Sequence, residues 1–257
     1  MAEPRSGVGG PLLAGAEAPG GELRLRMEDT VRRGQAVPIV ALLVGSSPIA
    51  EELRILRAKL RVIGQQRVLR CVGLVSAAGG EGKTTVSMGL ATSLTQDGGR
   101  VLLIEADLRR PAIERYLGLA PVEGLGEYLQ GQGDEVVVRR IDPHGFQLLS
   151  AGRGPAPAPE LLGSERMRHL LEALRRRFDF VVVDCPPLGP VADSVILQDL
   201  LDAFLFVVRA RHSPIETITK ALSHLKADRI AGVVLNDNHE ILTSYYSYSY
   251  RRYHDRY

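Results

Sequence analysis

Residues 71–85, CVGLVSAAGGEGKTT, decide the fold. Val72, Leu74 and Val75 read as a buried strand that runs directly into Gly79, Gly80, Gly82, Lys83 and Thr84. The run that follows, TVSMGLATSL, suits a helix. A strand, a glycine-rich turn and a helix opening on Gly-Lys-Thr form an arrangement that holds nucleotide phosphates. Glycines let backbone N–H groups converge on an anion, and the helix N-terminus adds the positive end of its dipole. In that reading Gly79, Gly80, Glu81, Gly82, Lys83, Thr84 and Thr85 form the cradle. Lys83, a cation on an exposed loop, reaches the β- and γ-phosphates, and the Thr84 hydroxyl binds Mg²⁺. The full pattern places a glycine five residues before Gly82, where this chain has Ala77. The competing reading is a glycine-rich βα turn with a surface lysine, and the flanking strand and helix favour the phosphate site.

Around this stretch, 257 residues, 45% hydrophobic and 24% charged, suffice for one sizeable α/β core with chain left over. A net charge of +2 does not demand nucleic acid as a partner, and none is expected. Cys71 and Cys185 both lie in apolar runs and read as core thiols in a reducing compartment. No run approaches the roughly 18 apolar residues of a membrane helix, and residues 1–25 lack the apolar centre of a signal peptide. A cytoplasmic location is expected, at a membrane only if a partner holds the chain there.

Residues 1–36 are punctuated by Gly and Pro and read as a flexible arm, with order beginning near Val37. VPIVALLVG (37–45) suits a short strand or a packed loop. Ser47 offers an N-cap and Pro48 a first helical residue. The helix that follows carries Leu53, Leu56, Leu60 and Ile63 on one face, and Glu51, Arg54 and Arg57 along another flank. Taken alone, that charge ladder is a solvated face.

RVLLIEA (100–106) is a second strand, placing Glu105 and Asp107 at its carboxyl end, where ligands bind in open α/β sheets. Two carboxylates there are costly unless they meet a cation; the alternative is a capping Asp107 with a solvated Glu105. Residues 112–159 read as a looser stretch rich in glycine, with a third strand at 146–152. Residues 160–177 form a helix with Leu161, Leu162, Met167, Leu170, Leu171 and Leu174 on its apolar face. FDFVVVDCPP (178–187) is a buried parallel strand ending in Asp184, a residue placed to hold Mg²⁺ directly or through water. Strands at 203–210 and 229–237 flank a helix at 213–227. The fold class is therefore α/β, with a mostly parallel central sheet covered by helices on both faces.

The tail, 242–257, holds Tyr245, Tyr246, Tyr248, Tyr250, Tyr253 and Tyr257, six of the eight tyrosines in the chain. It has no apolar periodicity and reads as disordered. Beside an ATP site, such a row of phenols looks like substrate; stacking on single-stranded nucleic acid and a merely sticky terminus are the alternatives.

From about Ser47 to its end the chain resembles the catalytic domain of bacterial tyrosine kinases, the CpsD/CapB/Wzc-like family of polysaccharide co-polymerase kinases. The resemblance rests on GEGKTT (80–85), VLLIEADLRRP (101–111), VVVDCPP (181–187), the E-x-x-R-x-x-R helix, AGRGPAPAPELLGSERM (151–167) and the tyrosine cluster. It implies a P-loop NTPase domain over 37–241 that uses ATP and Mg²⁺ to phosphorylate its own tail, regulating exopolysaccharide or capsule export. Lys83, Glu105, Asp107 and Asp184 are its expected catalytic residues, with Thr84, Asp107 and Asp184 at the metal and Glu105 receiving the tyrosine proton. It further implies ring-shaped oligomers contacting through Glu51, Arg54 and Arg57. Its implied partners are a transmembrane activator that recruits the chain to the inner face of the membrane and a protein-tyrosine phosphatase. Two departures stand out. Glu105 replaces the family's aspartate, which raises the prospect of a weakly active scaffold, and Gly79 stands where proline is common. Related MinD/ParA-like regulatory ATPases carry a lysine where this chain has Ala78, which argues against a ParA-type switch.

Overall fold

The computed structural model describes residues 23–28, 43, 45, 47–153, 158–189 and 193–237. The six tail tyrosines, residues 29–42 and the rest of the arm lie outside the described residues.

Eight strands form one sheet: β1 Arg24–Glu28, β2 Cys71–Ser76, β3 Val101–Glu105, β4 Glu135–Arg140, β5 Gln147–Leu149, β6 Phe180–Asp184, β7 Ala203–Arg209 and β8 Ile230–Asn236. Their order is β1-β4-β5-β3-β6-β2-β7-β8, parallel at every pairing except β4 with β5. β2, β3 and β6 are apolar on both faces and buried throughout apart from a half-buried Phe180, as strands covered by helices on both sides must be.

The helices divide between the faces. On one, α1 (Pro48–Gln66) and α2 (Lys83–Thr95) pack Leu53, Leu60, Val86, Met88 and Leu90 against Leu74, Leu103, Val182 and Leu205. On the other, α6 (Glu165–Arg177) lays Met167, Leu170, Leu171 and Leu174 on Leu102, Ile104, Val181 and Val183. Each such side chain, fully buried, stabilises by about 1.5–3 kcal/mol. α1 starts as expected: the Ser47 hydroxyl accepts from the Ala50 N–H at 3.1 Å, with Pro48 as first residue. A Cβ on Gly89 would lie 2.5 Å from Leu53, so glycine sets how closely α2 approaches α1.

Three expectations are corrected. The arm is not without order: residues 24–28 form β1, parallel to β4 and tied by the Arg26–Glu135 ion pair at 3.0 Å. The alternation of Leu25 and Met27 with charged residues is too short to stand out beside the neighbouring glycines and prolines. The stretch 112–159 holds β4 and two five-residue helices, α3 (Ile113–Leu117) and α4 (Leu125–Leu129), pinned by a buried arginine. Arg139 donates to Glu114, to the Ala120 carbonyl at 2.7 Å and to the Ser150 hydroxyl at 2.7 Å. Finally, the helix expected over 160–177 is two, α5 (Ala158–Leu162) and α6, because Ser164 turns the chain and caps α6 through the Met167 N–H at 3.3 Å. Among the described residues the remaining α-helices are α7 (Asp193–Ile196) and α8 (Ile215–Leu222), the latter shorter than the expected 213–227.

Candidate active site

β2, β3, β6, β7 and β8 run in the same direction, so Ser76, Glu105, Asp184, Arg209 and Asn236 reach one end of the sheet together. The glycine-rich turn leaves β2 at that end. Gly80 and Gly82 have φ of +85° and +82°, a left-handed conformation that suits glycine. A Cβ on Gly82 would also lie 2.0 Å from the Asn236 side-chain nitrogen. α2 begins after Gly82 with no side chain capping it, so its first-turn N–H groups face the turn.

The turn is anchored from behind by a residue whose side chain the sequence did not explain. Glu81, 1% exposed, accepts from the Arg209 backbone N–H at 2.5 Å and from the Ser213 hydroxyl. The Glu81 carbonyl accepts from Asn236 at 2.9 Å, and His212 contacts the Gly79 carbonyl at 3.1 Å. Glu81 therefore fixes the loop with its side chain, leaving only its backbone for a ligand.

Asp184 is the hub. Its Oδ1 accepts from Lys83 Nζ at 2.8 Å and from Ser87 Oγ at 2.8 Å, and its Oδ2 accepts from Thr84 Oγ1 at 2.8 Å. Lys83 is not the exposed cation the sequence suggested: it is 7% exposed and Asp184 1%. Burial opposes the lysine's charge, yet the Asp184 carboxylate, its hydrogen bond and the Asp107 charge raise the Lys83 pKa above its ordinary value. Ser87 went unnoticed in the sequence; its signal is the spacing of four from Lys83, which puts both on one helical face.

Glu105 pairs in register with Asp184 on the neighbouring strand. It is 1% exposed rather than solvated, and its Oε1 accepts from the Ile113 N–H at 2.7 Å and from the Ala112 N–H, capping α3. Burial pushes its pKa from 4.5 to about 7, helped by the Asp184 charge and opposed by backbone N–H donors. Asp107 is half-buried, and its Oδ1 accepts from the Arg110 N–H at 3.1 Å. The alternative of a helix-capping Asp107 with a solvated Glu105 is not what forms: the Asp107 bond closes a non-helical bend, and the buried Glu105 caps α3.

On α1, Arg54 pairs with Glu51 and donates to the Gly45 carbonyl. Arg57 turns inward, donating to the Ser93 carbonyl at 2.5 Å and facing Asp97 at 3.4 Å, so it joins α1 to the end of α2.

The donor set fits a magnesium nucleotide. Among the described residues no group of three or more His, Cys, Asp or Glu could hold a metal unaided. A hydroxyl and a carboxylate, Thr84 and Asp184, converge here beside an anion cradle, and Mg²⁺ is held in this way when phosphates complete its shell.

Comparison with known proteins gives consistent results. Residues 72–244 match the family described as the CobQ/CobB/MinD/ParA nucleotide binding domain. The kinase domain of the Escherichia coli tyrosine kinase Etk superposes with a TM-score of 0.73 at 30% identity, covering 80% of this chain and 82% of that one. Tyrosine-protein kinase CpsD of Streptococcus agalactiae is 28% identical over 203 residues, 77% of this chain and 87% of that protein. Tyrosine-protein kinase ptk of Acinetobacter johnsonii is 30% identical over 210 residues, 80% of this chain but 29% of that protein. The chain thus spans under a third of some of the curated relatives it matches.

Proposed function

The chain belongs to the CobQ/CobB/MinD/ParA nucleotide-binding family and to the bacterial tyrosine kinases within reach of it, and we propose that it transfers the γ-phosphoryl group of ATP to tyrosine. The observation that carries this reading is the convergence of Lys83, Thr84 and Ser87 on Asp184, beside a left-handed glycine turn. Backbone N–H groups of 79–84 receive the phosphates, and Lys83, turning from Asp184 to the β- and γ-oxygens, neutralises their charge. Asp184, released by that movement, and Thr84 would hold Mg²⁺, with Asp107 bracing them. Bound there, Mg²⁺ would offset negative charge on the transferring group.

The phenol oxygen forms a bond to the γ-phosphorus, the bridging bond to ADP breaks, and the phenol proton passes to a carboxylate. With its pKa near 7, Glu105 suits that task at neutral pH. A second reading rests on the same residue's 1% exposure and its bonds to α3: Asp107, half-buried and closer to solvent, takes the proton while Glu105 braces it. Glu105→Gln and Asp107→Asn separate the two, because only loss of the acceptor flattens the acid limb of the rate.

The acceptors are the six tail tyrosines, reached between neighbouring subunits of a ring contacting through Glu51 and Arg54. A membrane activator stimulates the reaction, a phosphatase resets it, and the cycle regulates polysaccharide export. The test is to incubate the purified chain with ATP and Mg²⁺, with and without an activator segment, and to map phosphotyrosine within 242–257. Lys83→Met should give none. Equal labelling in Lys83→Met, or labelling of serine and threonine alone, would refute the reading.

A further inference from the structure

The end of the sheet opposite the nucleotide site carries its own chemistry. Because β2, β3, β6, β7 and β8 are parallel, their first residues gather there with the last turns of α1 and α6. The residues flanking those strand starts include Arg67, Arg70, Arg100, Arg175, Arg176, Arg177, Lys226 and Arg229. Against these eight cations stand five carboxylates, Asp97, Asp179, Asp199, Asp202 and Asp228. The local excess of three exceeds the +2 of the whole chain, so the remainder is net negative.

The bonding keeps that charge in place. Arg67 donates to the Asp228 carbonyl at 2.5 Å, Arg70 to the Arg175 carbonyl at 3.3 Å and Arg229 to the Leu201 carbonyl at 3.1 Å. Main-chain carbonyls orient a guanidinium without cancelling its charge. Asp202 is shared between Arg175 and the backbone N–H groups of Arg70 and Cys71. Arg176 is exposed. Among these cations sits an apolar tip: Val68, between Arg67 and Arg70, is 74% exposed.

We propose that this strand-start end docks directly on an anionic lipid bilayer, with Val68 entering the headgroup layer and the surrounding arginines meeting lipid phosphates. A cationic surface with an aliphatic tip matches a membrane interface, where burial of apolar area and attraction to anionic lipid act together. A nucleic-acid surface would have no use for an exposed valine at its centre. The orientation leaves the glycine-rich turn and Asp184 facing away from the bilayer, open to nucleotide and to neighbouring chains. The contact is independent of the kinase reading and adds to any hold exerted by a membrane partner.

The test is sedimentation of the full chain with vesicles of phosphatidylcholine alone and with vesicles containing phosphatidylglycerol. Binding is expected only to the mixed vesicles and should weaken as salt screens the charges. Each cation near an anionic leaflet is worth roughly fivefold in partition, so Arg67→Gln, Arg70→Gln and Arg176→Gln together should cost about 100-fold. Val68→Asp should also weaken binding, whereas Val68→Leu should keep or strengthen it. Circular dichroism and nucleotide binding, both expected to be unchanged, establish that the variants fold. Failure of the parent to bind mixed vesicles, or equal binding by the triple variant, overturns the proposal. So does an oligonucleotide binding tighter than the vesicles with the same dependence on these arginines.

Discussion

Replacing Glu105 with glutamine should remove a pH dependence from the stability of the protein while leaving most of its contacts in place. Burial is the main force keeping the Glu105 carboxyl protonated, and its pKa stands at about 7 against an ordinary 4.5. Between those values the folded chain holds a proton that the unfolded chain has released, so stability falls as pH rises. At about 1.4 kcal/mol per pH unit, the loss grows to about 3 kcal/mol and levels off above the folded-state pKa. The contribution is fully present below pH 4.5 and gone above about pH 7. Glutamine keeps an oxygen for the Ala112 and Ile113 N–H groups but meets the Ala151 N–H less well than a carboxylate does. That mismatch shifts stability by the same amount at every pH, so it cancels in the comparison. Urea melts of parent and variant without nucleotide, at about pH 5 and about pH 8, should show the variant gaining about 2–3 kcal/mol on the parent between the two. Parallel curves would mean that Glu105 is already ionised at the lower pH, and the account of its burial would fail.

Lys83→Met should abolish tyrosine phosphorylation and also destabilise the fold by up to about 3–5 kcal/mol, because it strands a buried Asp184 charge; adding Asp184→Asn should recover most of that loss in the same melts. Glu81→Ala removes the partner of the Arg209 N–H and the Ser213 hydroxyl, and should cost about 1–3 kcal/mol with a raised KM for ATP. An unchanged KM would separate the anchor from the loop. Gly82→Ala should eliminate nucleotide binding by equilibrium dialysis, and Asn236→Ala should not rescue it, because the φ of +82° remains. Leu170→Ala on α6 should lower stability by about 2–5 kcal/mol without changing nucleotide affinity.

The parts of the site legible in the sequence are those whose chemistry demands particular residues at short spacing. A phosphate cradle needs closely spaced glycines, so Gly80 and Gly82 announce themselves. A strand that ends in a carboxylate shows in VVVD as directly as in the structure. What escaped notice is held by contacts across long separations. Glu81 meets Arg209 across 128 residues, and Arg139 meets Glu114 across 25; neither partner is marked by its local sequence. β4 is a different kind of miss. Val136, Val137 and Val138 are as clear a run as Val181, Val182 and Val183, but the glycines at 118, 124, 126, 131 and 133 suggest a loop. The strand forms because β1 and β5 supply its pairing. No reading of residues 135–140 alone contains either neighbour.

The electrostatics of the site explain why its residues would be poor choices for stability alone. Glu105 and Asp184 lie side by side on paired strands, both almost wholly buried, with Lys83 as the cation bonded to Asp184. A buried ion pair seldom outperforms apolar residues of similar size, and a second carboxylate beside it adds repulsion. The fold accommodates Glu105 by letting it take up a proton, which is why its pKa is raised while Asp184 keeps three donors. In the proposed reaction Lys83 would turn toward phosphate, Asp184 would lose one of those donors, and the remaining hydroxyls of Thr84 and Ser87 would not balance its charge. Asp184 and Thr84 would then hold a divalent cation brought with the nucleotide, whose charge would offset that of Asp184 and favour the ionised form of Glu105. Nucleotide binding would thus convert a protonated, structural carboxyl into a proton acceptor when the substrate arrives.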